Sequence, residues 1–482
     1  MTEKSLKRNA VFNVLKTIIS LLFPLITFPY ASRILMPIGI GKINFSNSII
    51  SYFGIIASLG ISTYGIREAA KRKHDKILLS QFTFELFVLN LISTFIAYIL
   101  LFVAIFFIPK FIEYRTILIV CSTTIIFTTI GIDWLYSALE EYGYIAIRSV
   151  LFQILSIILL FSFVKTPDDY IKYAAISVVS SVGANICNIF HARKFLSFKS
   201  LKKINIKQHV KPVLIFFGST LAISVFTILD TSMLGFLCSD TEVGYYSAAT
   251  KLIRMIRDLF PAVFTVMFAR LSIYANDEDK SDKFVSLIKN MLNFICFMGF
   301  PIIVGLFLLG RPIINLLSGS AYLPALPTMY IMLPVILLSS TAGFLGGTVL
   351  NSLGKEKIYL YCVIIGAIIN FTLNSILIRL FGAFGAGFAT LITEFILMIL
   401  YFIFLRKIIQ FKVLFIQILQ SISASLIMGG IIFLLKNIIN SEILQLIILT
   451  CVGMCVYLIL MVLFKNSLAT ELKKIIQAKI KR

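Results

Sequence analysis

Acidic residues are scarce in this chain, and long polar stretches are missing from it. The 482 residues include 22 Asp and Glu against 44 Lys and Arg, and 14% are charged while 59% are apolar. A typical soluble domain has about a quarter of its residues charged. The composition therefore excludes a soluble globular protein and predicts a chain that folds within a lipid bilayer.

Metal-binding patterns are missing as well. Cysteines at six positions lie inside predicted helices without metal-ligand spacing, and we interpret them as packing residues; they are Cys121, Cys187, Cys296, Cys362, Cys451 and Cys455. The three histidines, His74, His191 and His209, lie in or beside basic loops, where we expect solvated side chains. We predict no metal site and no catalytic residue.

The chain is instead a series of apolar stretches. A spanning helix needs about 20 apolar residues, and hydrocarbon offers the backbone no hydrogen-bond partners outside the helix. We predict an all-α integral membrane protein with about fourteen transmembrane helices. Their predicted ranges are 9–35, 43–66, 77–108, 114–137, 142–164, 170–192, 211–238, 243–270, 284–309, 322–350, 356–380, 383–405, 411–437 and 441–464. The first is too long for the apolar region of a signal peptide, so we interpret it as a retained helix.

Lysine and arginine collect in alternate gaps between these helices, for example over 67–76 and 193–211. By the positive-inside rule these gaps are cytoplasmic, which places both termini in the cytoplasm. The net charge of +22 follows from this topology and from attraction to anionic lipid headgroups. It indicates no nucleic-acid partner.

An internal repeat divides the chain. A shift of 203 residues places Gly41 on Gly244 and Arg67 on Arg270 without a gap. A unit of six helices keeps its orientation, so the halves are predicted to be parallel repeats about an axis near the membrane normal, an arrangement that suits alternating access. The predicted domains are an N-terminal six-helix lobe over 1–205, a C-terminal six-helix lobe over 206–410, and two additional helices with a basic cytoplasmic tail over 411–482.

Three cations lie inside an apolar segment. Lys251, Arg254 and Arg257 fall near the middle of the helix predicted over 243–270, where an unpaired charge costs several kcal/mol. One interpretation is a hydrated cationic cavity that binds an anionic ligand. The other is a structural ion-pair network with acids, of which Asp258 is four residues from Arg254 and the remainder lie on other helices: Asp230, Glu85, Asp133 and Glu394.

The first half of the repeat has no such charges. The positions equivalent to Lys251, Arg254 and Arg257 are Ser48, Ser51 and Gly54, so the predicted cavity is charged on one lobe only. Glu85 and Glu394 could instead couple an ion.

Other charged residues flank the helices. Arg33 and Lys42 lie at the first predicted outer turn, where they could contact a ligand or extend to the interface. Four further residues are predicted at a cytoplasmic gate: Arg67, Glu140, Arg148 and Arg270.

Several segments resemble the polysaccharide-exporting branch of the multidrug/oligosaccharidyl-lipid/polysaccharide flippase superfamily, particularly Wzx-type O-antigen and repeat-unit flippases. They occur in order along most of the chain. The segments are GISTYGIREAAKRK (60–73), IDWLYSALEEYGYIAIRS (132–149), VGYYSAATKL (243–252), YLPALPTMYIMLP (322–334), LNSLGKEK (350–357) and GAFGAGFATLITE (382–394). Many Wzx-type members have twelve helices, and the additional pair predicted here resembles the related lipid II flippases.

The resemblance implies two six-helix lobes around a V-shaped cavity, no cofactor, and a polyprenyl-diphosphate-linked oligosaccharide as cargo. It implies a multi-pass protein of the bacterial cytoplasmic (inner) membrane that serves synthesis of O-antigen, lipopolysaccharide or capsule. A polysaccharide polymerase and a chain-length regulator are the expected protein partners. The three cations then become candidates for holding the diphosphate.

Two other functions are considered. A cation-coupled multidrug-type exporter would be expected to have acids rather than cations in its cavity. A membrane-embedded polymerase or ligase usually needs a large outer loop with catalytic polar residues, and none is predicted. We therefore predict a transporter and not an enzyme.

Overall fold

The computed structural model describes residues 6–197, 204–275, 281–406, 408 and 412–470, and these residues form helices joined by short turns, without a β-strand among them. The α-helices are α1 (Leu6–Ser58), α2 (Ile61–Arg72), α3 (Lys76–Phe107), α4 (Pro109–Glu113), α5 (Arg115–Gly131), α6 (Asp133–Ala138), α7 (Tyr142–Phe163), α8 (Tyr170–Val182), α9 (Ile186–Ala192), α10 (Lys207–Leu237), α11 (Asp240–Arg257), α12 (Phe260–Ala275), α13 (Ser281–Leu317), α14 (Leu326–Met332), α15 (Val335–Ala342), α16 (Glu356–Leu405), α17 (Lys412–Lys436) and α18 (Glu442–Leu463). The stretch Gly343–Leu350 after α15 is π-helical.

The predicted all-α multi-pass class is confirmed. In the described part of the chain, eight helices are long and apolar enough to cross a membrane, and the bent pair Ser320–Met332 and Val335–Leu350 adds a ninth candidate. Each of the fourteen predicted segments coincides with helical structure. The 53 residues of α1 and the 50 of α16 are each more than twice the length that one span needs. Non-helical backbone at Met36 (φ 59°) and Gly382 (φ 54°) divides each of them in two.

Two predicted helices are discontinuous. The helix predicted over 243–270 is two helices, α11 and α12, with a break at residues 258–259. Pro261 accounts for the break, because proline has no backbone N–H to donate and its ring clashes with the carbonyl of residue 257. The helix predicted over 114–137 is divided at Ile132, whose φ of 39° ends α5 before α6 begins.

The chain forms two compact units, Met1–Gly244 and Tyr245–Arg482. In the first unit, α1 packs against α3, α5, α7 and α10. In the second unit, α13, α17 and α18 share a core that includes Phe297, Met428 and Tyr457. The predicted lobe boundaries at 205 and 410 concern the sequence repeat rather than packing, and they stay predictions.

Gly41 and Gly244 lie where two helices meet at the level of the backbone. A Cβ on Gly41 would lie 1.8 Å from the carbonyl oxygen of Asp240, and a Cβ on Gly244 would lie 2.2 Å from that of Pro37. The 203-residue shift relates Pro37 to Asp240 as it relates Gly41 to Gly244. The two contacts therefore form one reciprocal crossing of α1 and α11. Each repeat supplies a glycine and the carbonyl four residues before it.

This crossing predicts that Gly41→Ala and Gly244→Ala lower the melting temperature of the purified protein. The added methyl would overlap a backbone carbonyl that cannot rotate away. Gly218→Ala is the matched control, because nothing lies within 4 Å of its Cβ position and alanine is favoured over glycine in helices by up to about 1 kcal/mol. A melting temperature that rises in Gly41→Ala as it does in the control would contradict the crossing.

Candidate functional site

A cavity of about 360 Å³, lined by both polar and apolar side chains, lies within the first unit, among α1, α2, α3, α5, α6 and α8. Its volume is within the range of small-molecule binding sites. Most of its polar lining is small hydroxyl and amide side chains. These are Asn47, Ser51, Ser58, Ser62, Asn90, Thr124, Thr128, Thr129, Ser177 and Ser181.

Helix α1 contributes one wall of the cavity. Asn47, Ser51, Gly54 and Ser58 are three or four residues apart and therefore share one face of the helix. Gly54 has no atom within 4 Å of its Cβ position, which leaves the space beside the helix open. Ser51 and Gly54 are positions that the repeat matches to Arg254 and Arg257, so this wall is the uncharged counterpart of the cationic stretch.

The lining hydroxyls form hydrogen bonds within their own helices. Ser51 donates to the carbonyl of Asn47 at 2.7 Å, and Ser58 donates to that of Ile55 at 3.1 Å. The same pattern, with distances of 2.7 to 2.9 Å, holds for Thr128, Ser177 and Ser181. Because each proton is directed at the backbone, the hydroxyl oxygen keeps its two lone pairs for donors from a ligand.

Asp133 contributes a carboxylate to the cavity wall and is held from behind. The Arg148 guanidinium donates to Asp133 Oδ1 and, at 2.9 Å, to Asn185 Oδ1. Asn188 Nδ2 donates to the same Asp133 oxygen at 2.8 Å. The Arg148 side chain is 7% exposed while that of Asp133 is 51% exposed. The base of the network is thus buried and its carboxylate faces open space.

Glu85 belongs to a second buried network, at the start of α10. Its Oε2 lies 2.8 Å from His209 Nε2 and accepts from Gln208 at 2.9 Å, and its Oε1 accepts from the backbone N–H of Asn205 at 2.9 Å. The other nitrogen of His209 lies 3.0 Å from the Tyr64 hydroxyl. The prediction that His209 is solvated is therefore wrong, because the first turn of α10 places the ring against α2 and α3. The network fixes the start of α10.

His191 also departs from its prediction. Its ring lies 3.8 Å from that of Tyr144 and stacks parallel to that of Tyr136. It is a half-buried packing residue, whereas His74 is exposed.

The predicted gate residues of the first unit have separate partners. Arg67 is exposed, contacts the neighbouring Glu68 at 3.2 Å, and lies over the Phe216 ring. Glu140 pairs with Lys73 at 3.4 Å. Arg148 pairs with Asp133, as described above. Their assignment to a gate stays a prediction.

The three predicted intramembrane cations lie at the end of α11. Lys251 and Arg257 are half-buried and Arg254 is exposed. Arg254 and Arg257 occupy the last turn of the helix, where the helix dipole favours positive charge. The Asp258 carboxylate contacts Arg257 at 3.3 Å, and its backbone N–H donates to the Arg254 carbonyl at 2.9 Å.

The remaining candidates lie apart from the cavity lining. Lys42 is stacked over the Tyr170 ring at 5.0 Å, and Arg33 is exposed on α1. Asp230 on α10 and Glu394 on α16 are buried. Arg270 is exposed on α12.

Sequence reasoning missed most of the cavity. Only Asp133 and the α1 positions Ser51 and Gly54 had been singled out, and the two α1 positions only as uncharged counterparts of the cations. The signal was present in the spacing of Asn47, Ser51, Gly54 and Ser58. Thr124 and Thr128 on α5, and Ser177 and Ser181 on α8, have the same four-residue spacing, but spacing alone does not indicate that these helices pack beside α1.

The Asp133 network predicts a stability effect. Arg148→Met leaves the Asn185 carbonyl without that donor and weakens the support of Asp133, so we expect a loss of about 1–3 kcal/mol in folding stability. Arg67→Met is the control, because an exposed ion pair contributes about 0–1 kcal/mol. Melting temperatures of the purified proteins check this. Asp133→Asn should cost less folding stability when it is added to Arg148→Met than when it is made in the parent protein. Losses that are strictly additive would contradict the coupling of the two residues.

Comparison with known proteins gives the family. The family described as "Polysaccharide biosynthesis protein" matches residues 6–275. A Shigella dysenteriae protein provisionally named an O-antigen transporter is 26% identical over 396 residues, covering 81% of this chain and 97% of its own. An Escherichia coli K12 protein with the same provisional name is 24% identical over 413 residues, covering 84% and 97%.

Solved structures share the fold. The lipid II flippase MurJ in an inward closed conformation superposes with a TM-score of 0.74 at 19% identity, covering 95% of this chain and 99% of its own. An inward-facing multidrug transporter of the MATE family has a TM-score of 0.61 at 16% identity, covering 84% and 95%. The family match covers more than half of the chain and confirms the resemblance to Wzx-type polysaccharide flippases. The chain belongs to the polysaccharide biosynthesis protein family.

Proposed function

We propose that this protein moves polyprenyl-diphosphate-linked oligosaccharide repeat units from the cytoplasmic to the outer leaflet of the bacterial cytoplasmic membrane. The observation that carries the proposal is the hydroxyl-lined cavity in a membrane protein of this family. Sugars bring many hydroxyl donors, and the cavity offers acceptors to them. The polyprenyl tail stays in lipid while the glycan crosses through the polar interior by alternating access.

Lys251, Arg254 and Arg257 are proposed to hold the diphosphate. Each phosphate oxygen accepts charge-assisted hydrogen bonds, which lysine and arginine supply. Arg254 and Arg257 are at the repeat positions of Ser51 and Gly54, so sequence-related positions would serve the two parts of one cargo. One set would bind anion and the other sugar.

A cation-coupled multidrug-type exporter remains the second candidate. Asp133 favours it, because a carboxylate facing a cavity is what such an exporter requires. Asp133 is, however, already paired with Arg148 and accepts from Asn188, so a cation would have to compete with Arg148 for this carboxylate. Expression in a drug-sensitive strain separates the two functions, since the exporter would raise drug resistance and the flippase would not.

Deletion of the gene tests the function directly. We expect polyprenyl-diphosphate oligosaccharide to accumulate on the cytoplasmic face and surface polysaccharide to disappear. Normal surface polysaccharide in the deletion strain would contradict the proposal.

Neutralising the α11 cations one at a time tests their role. Lys251→Met, Arg254→Met and Arg257→Met should each reduce surface polysaccharide at matched expression, because a charge-assisted hydrogen bond contributes about 1.5–3 kcal/mol, or about tenfold or more in affinity. Lys357→Gln is the control, since Lys357 is exposed on the first turn of α16. Full polysaccharide in all three variants would remove these residues from the site.

The cargo charge predicts dependence on membrane potential. Two uncompensated negative charges leaving an inside-negative compartment gain roughly 4–5 kcal/mol at 100 mV. In proteoliposomes with a potassium gradient, adding valinomycin to create that potential should accelerate transport. Equal flux with the ionophore and without it would exclude this driving force.

A further inference from the structure

Five hydroxyls that line the cavity in the first unit donate to the protein backbone. The protons of Ser51, Ser58, Thr128, Ser177 and Ser181 are all directed at backbone carbonyls. The amide of Asn90 is used in the same way, because its Nδ2 donates to the carbonyl of Ala57 at 2.7 Å. What these side chains present to a ligand is oxygen.

Asp133 gives this acceptor surface its one charged group among the lining residues that the structure describes. An ionised carboxylate accepts and never donates. Arg148 and Asn188 both bind Oδ1, so Oδ2 is oriented without being used in those contacts. The guanidinium itself is buried behind the carboxylate and is absent from the lining.

A ligand that contacts these five hydroxyl oxygens and Asp133 must bring donors. Hydroxyl, amino and N-acetylamino groups supply them, whereas the carboxylate of an acidic sugar supplies only acceptors. Placing such a carboxylate against these oxygens would leave it desolvated beside the Asp133 carboxylate.

We propose that this cavity is a sugar subsite selective for neutral and amino-substituted sugars over acidic sugars, with Asp133 as the residue that determines the specificity. The inference rests on the proposed function and names the sugar class that the same site accepts. The selectivity depends on weak binding of acidic sugars as much as on tight binding of neutral and amino-substituted sugars. Asp133 binds paired donors on adjacent sugar carbons, and the hydroxyl oxygens on α1, α5 and α8 receive the others.

The chain contains its own probe for this cavity. Trp134 lines it beside Asp133, and the sequence has one tryptophan. When the full-length purified protein is excited at wavelengths beyond the absorption of its 19 tyrosines, its intrinsic fluorescence reports on this residue alone, without a label.

The test is a titration of that fluorescence with two disaccharides of equal size. Chitobiose, which carries N-acetylamino and hydroxyl groups, should change the emission saturably, and digalacturonate should require at least a tenfold higher concentration. Equal responses, or no response to either sugar, would overturn the inference. A response to sodium chloride as large as that to chitobiose, together with no response to choline chloride, would also overturn the inference. It would indicate that Asp133 binds a cation.

Asp133→Asn tests the residue itself. The amide can donate where the carboxylate cannot, so the preference for chitobiose over digalacturonate should fall toward one. Glu113→Gln is the matched control, a carboxylate exposed on α4 outside the cavity, and it should keep the preference of the parent protein. An unchanged preference in folded Asp133→Asn would contradict the assignment, and the parent titration decides the inference if that variant does not fold.

Transport of lipid-linked glycans separates this inference from the proposed function. In proteoliposomes, flux of an N-acetylhexosamine glycan together with little flux of a uronate glycan supports both. Equal flux of the two overturns the selectivity and leaves the flippase function intact. Flux of neither contradicts the flippase function, whatever the fluorescence titration gives.

Discussion

The constraint on which this structure depends is that a polar group in hydrocarbon must find a partner within the protein. It forces the backbone into helices, and α1 and α16 stay helical on both sides of the non-helical residues Met36 and Gly382. It also directs hydroxyl protons of the cavity residues onto carbonyls one turn back. The chemistry of the cavity follows from this constraint, because hydroxyls that donate to the backbone present acceptor oxygens to a ligand.

The same constraint explains the buried charges. Arg148 is tolerated in the interior of the first unit because Asp133 and Asn185 accept hydrogen bonds from its guanidinium. Glu85 is tolerated because three groups near the start of α10 bind its carboxylate. They are the backbone N–H of Asn205 and the side chains of Gln208 and His209. Each network therefore satisfies a charge and fixes an element, and the first also orients a carboxylate toward open space.

The repeat connects the two kinds of polar site. Pro37, Gly41, Asp240 and Gly244 show that repeat-related residues meet in a reciprocal crossing. Farther along the same helices, Ser51 and Gly54 in one repeat correspond to Arg254 and Arg257 in the other. In our proposal the duplicated helix has diverged, one copy toward neutral sugar and the other toward the anionic diphosphate.

Much of the fold could be predicted from the sequence, because helix formation in lipid depends on local hydropathy and length. The membrane class and the fourteen helical segments needed nothing else, and the spacing from Asn47 to Ser58 contained the α1 wall. The breaks at Ile132 and at residues 258–259 were missed, although Pro261 marked the second. The burial of His209 and the pairing of Arg148 with Asp133 depend on which helices become neighbours, and that is decided by tertiary packing rather than by local sequence.

Photo-crosslinking in living cells tests most directly whether the glycan passes through the cavity of the first unit. A photoreactive amino acid at Thr128, which lines the cavity on α5, is compared with the same residue at Ile126, which is exposed on that helix outside the lining. The account predicts capture of the lipid-linked oligosaccharide through its sugar from position 128 and not from position 126. Capture from neither position, or equally from both, would contradict it.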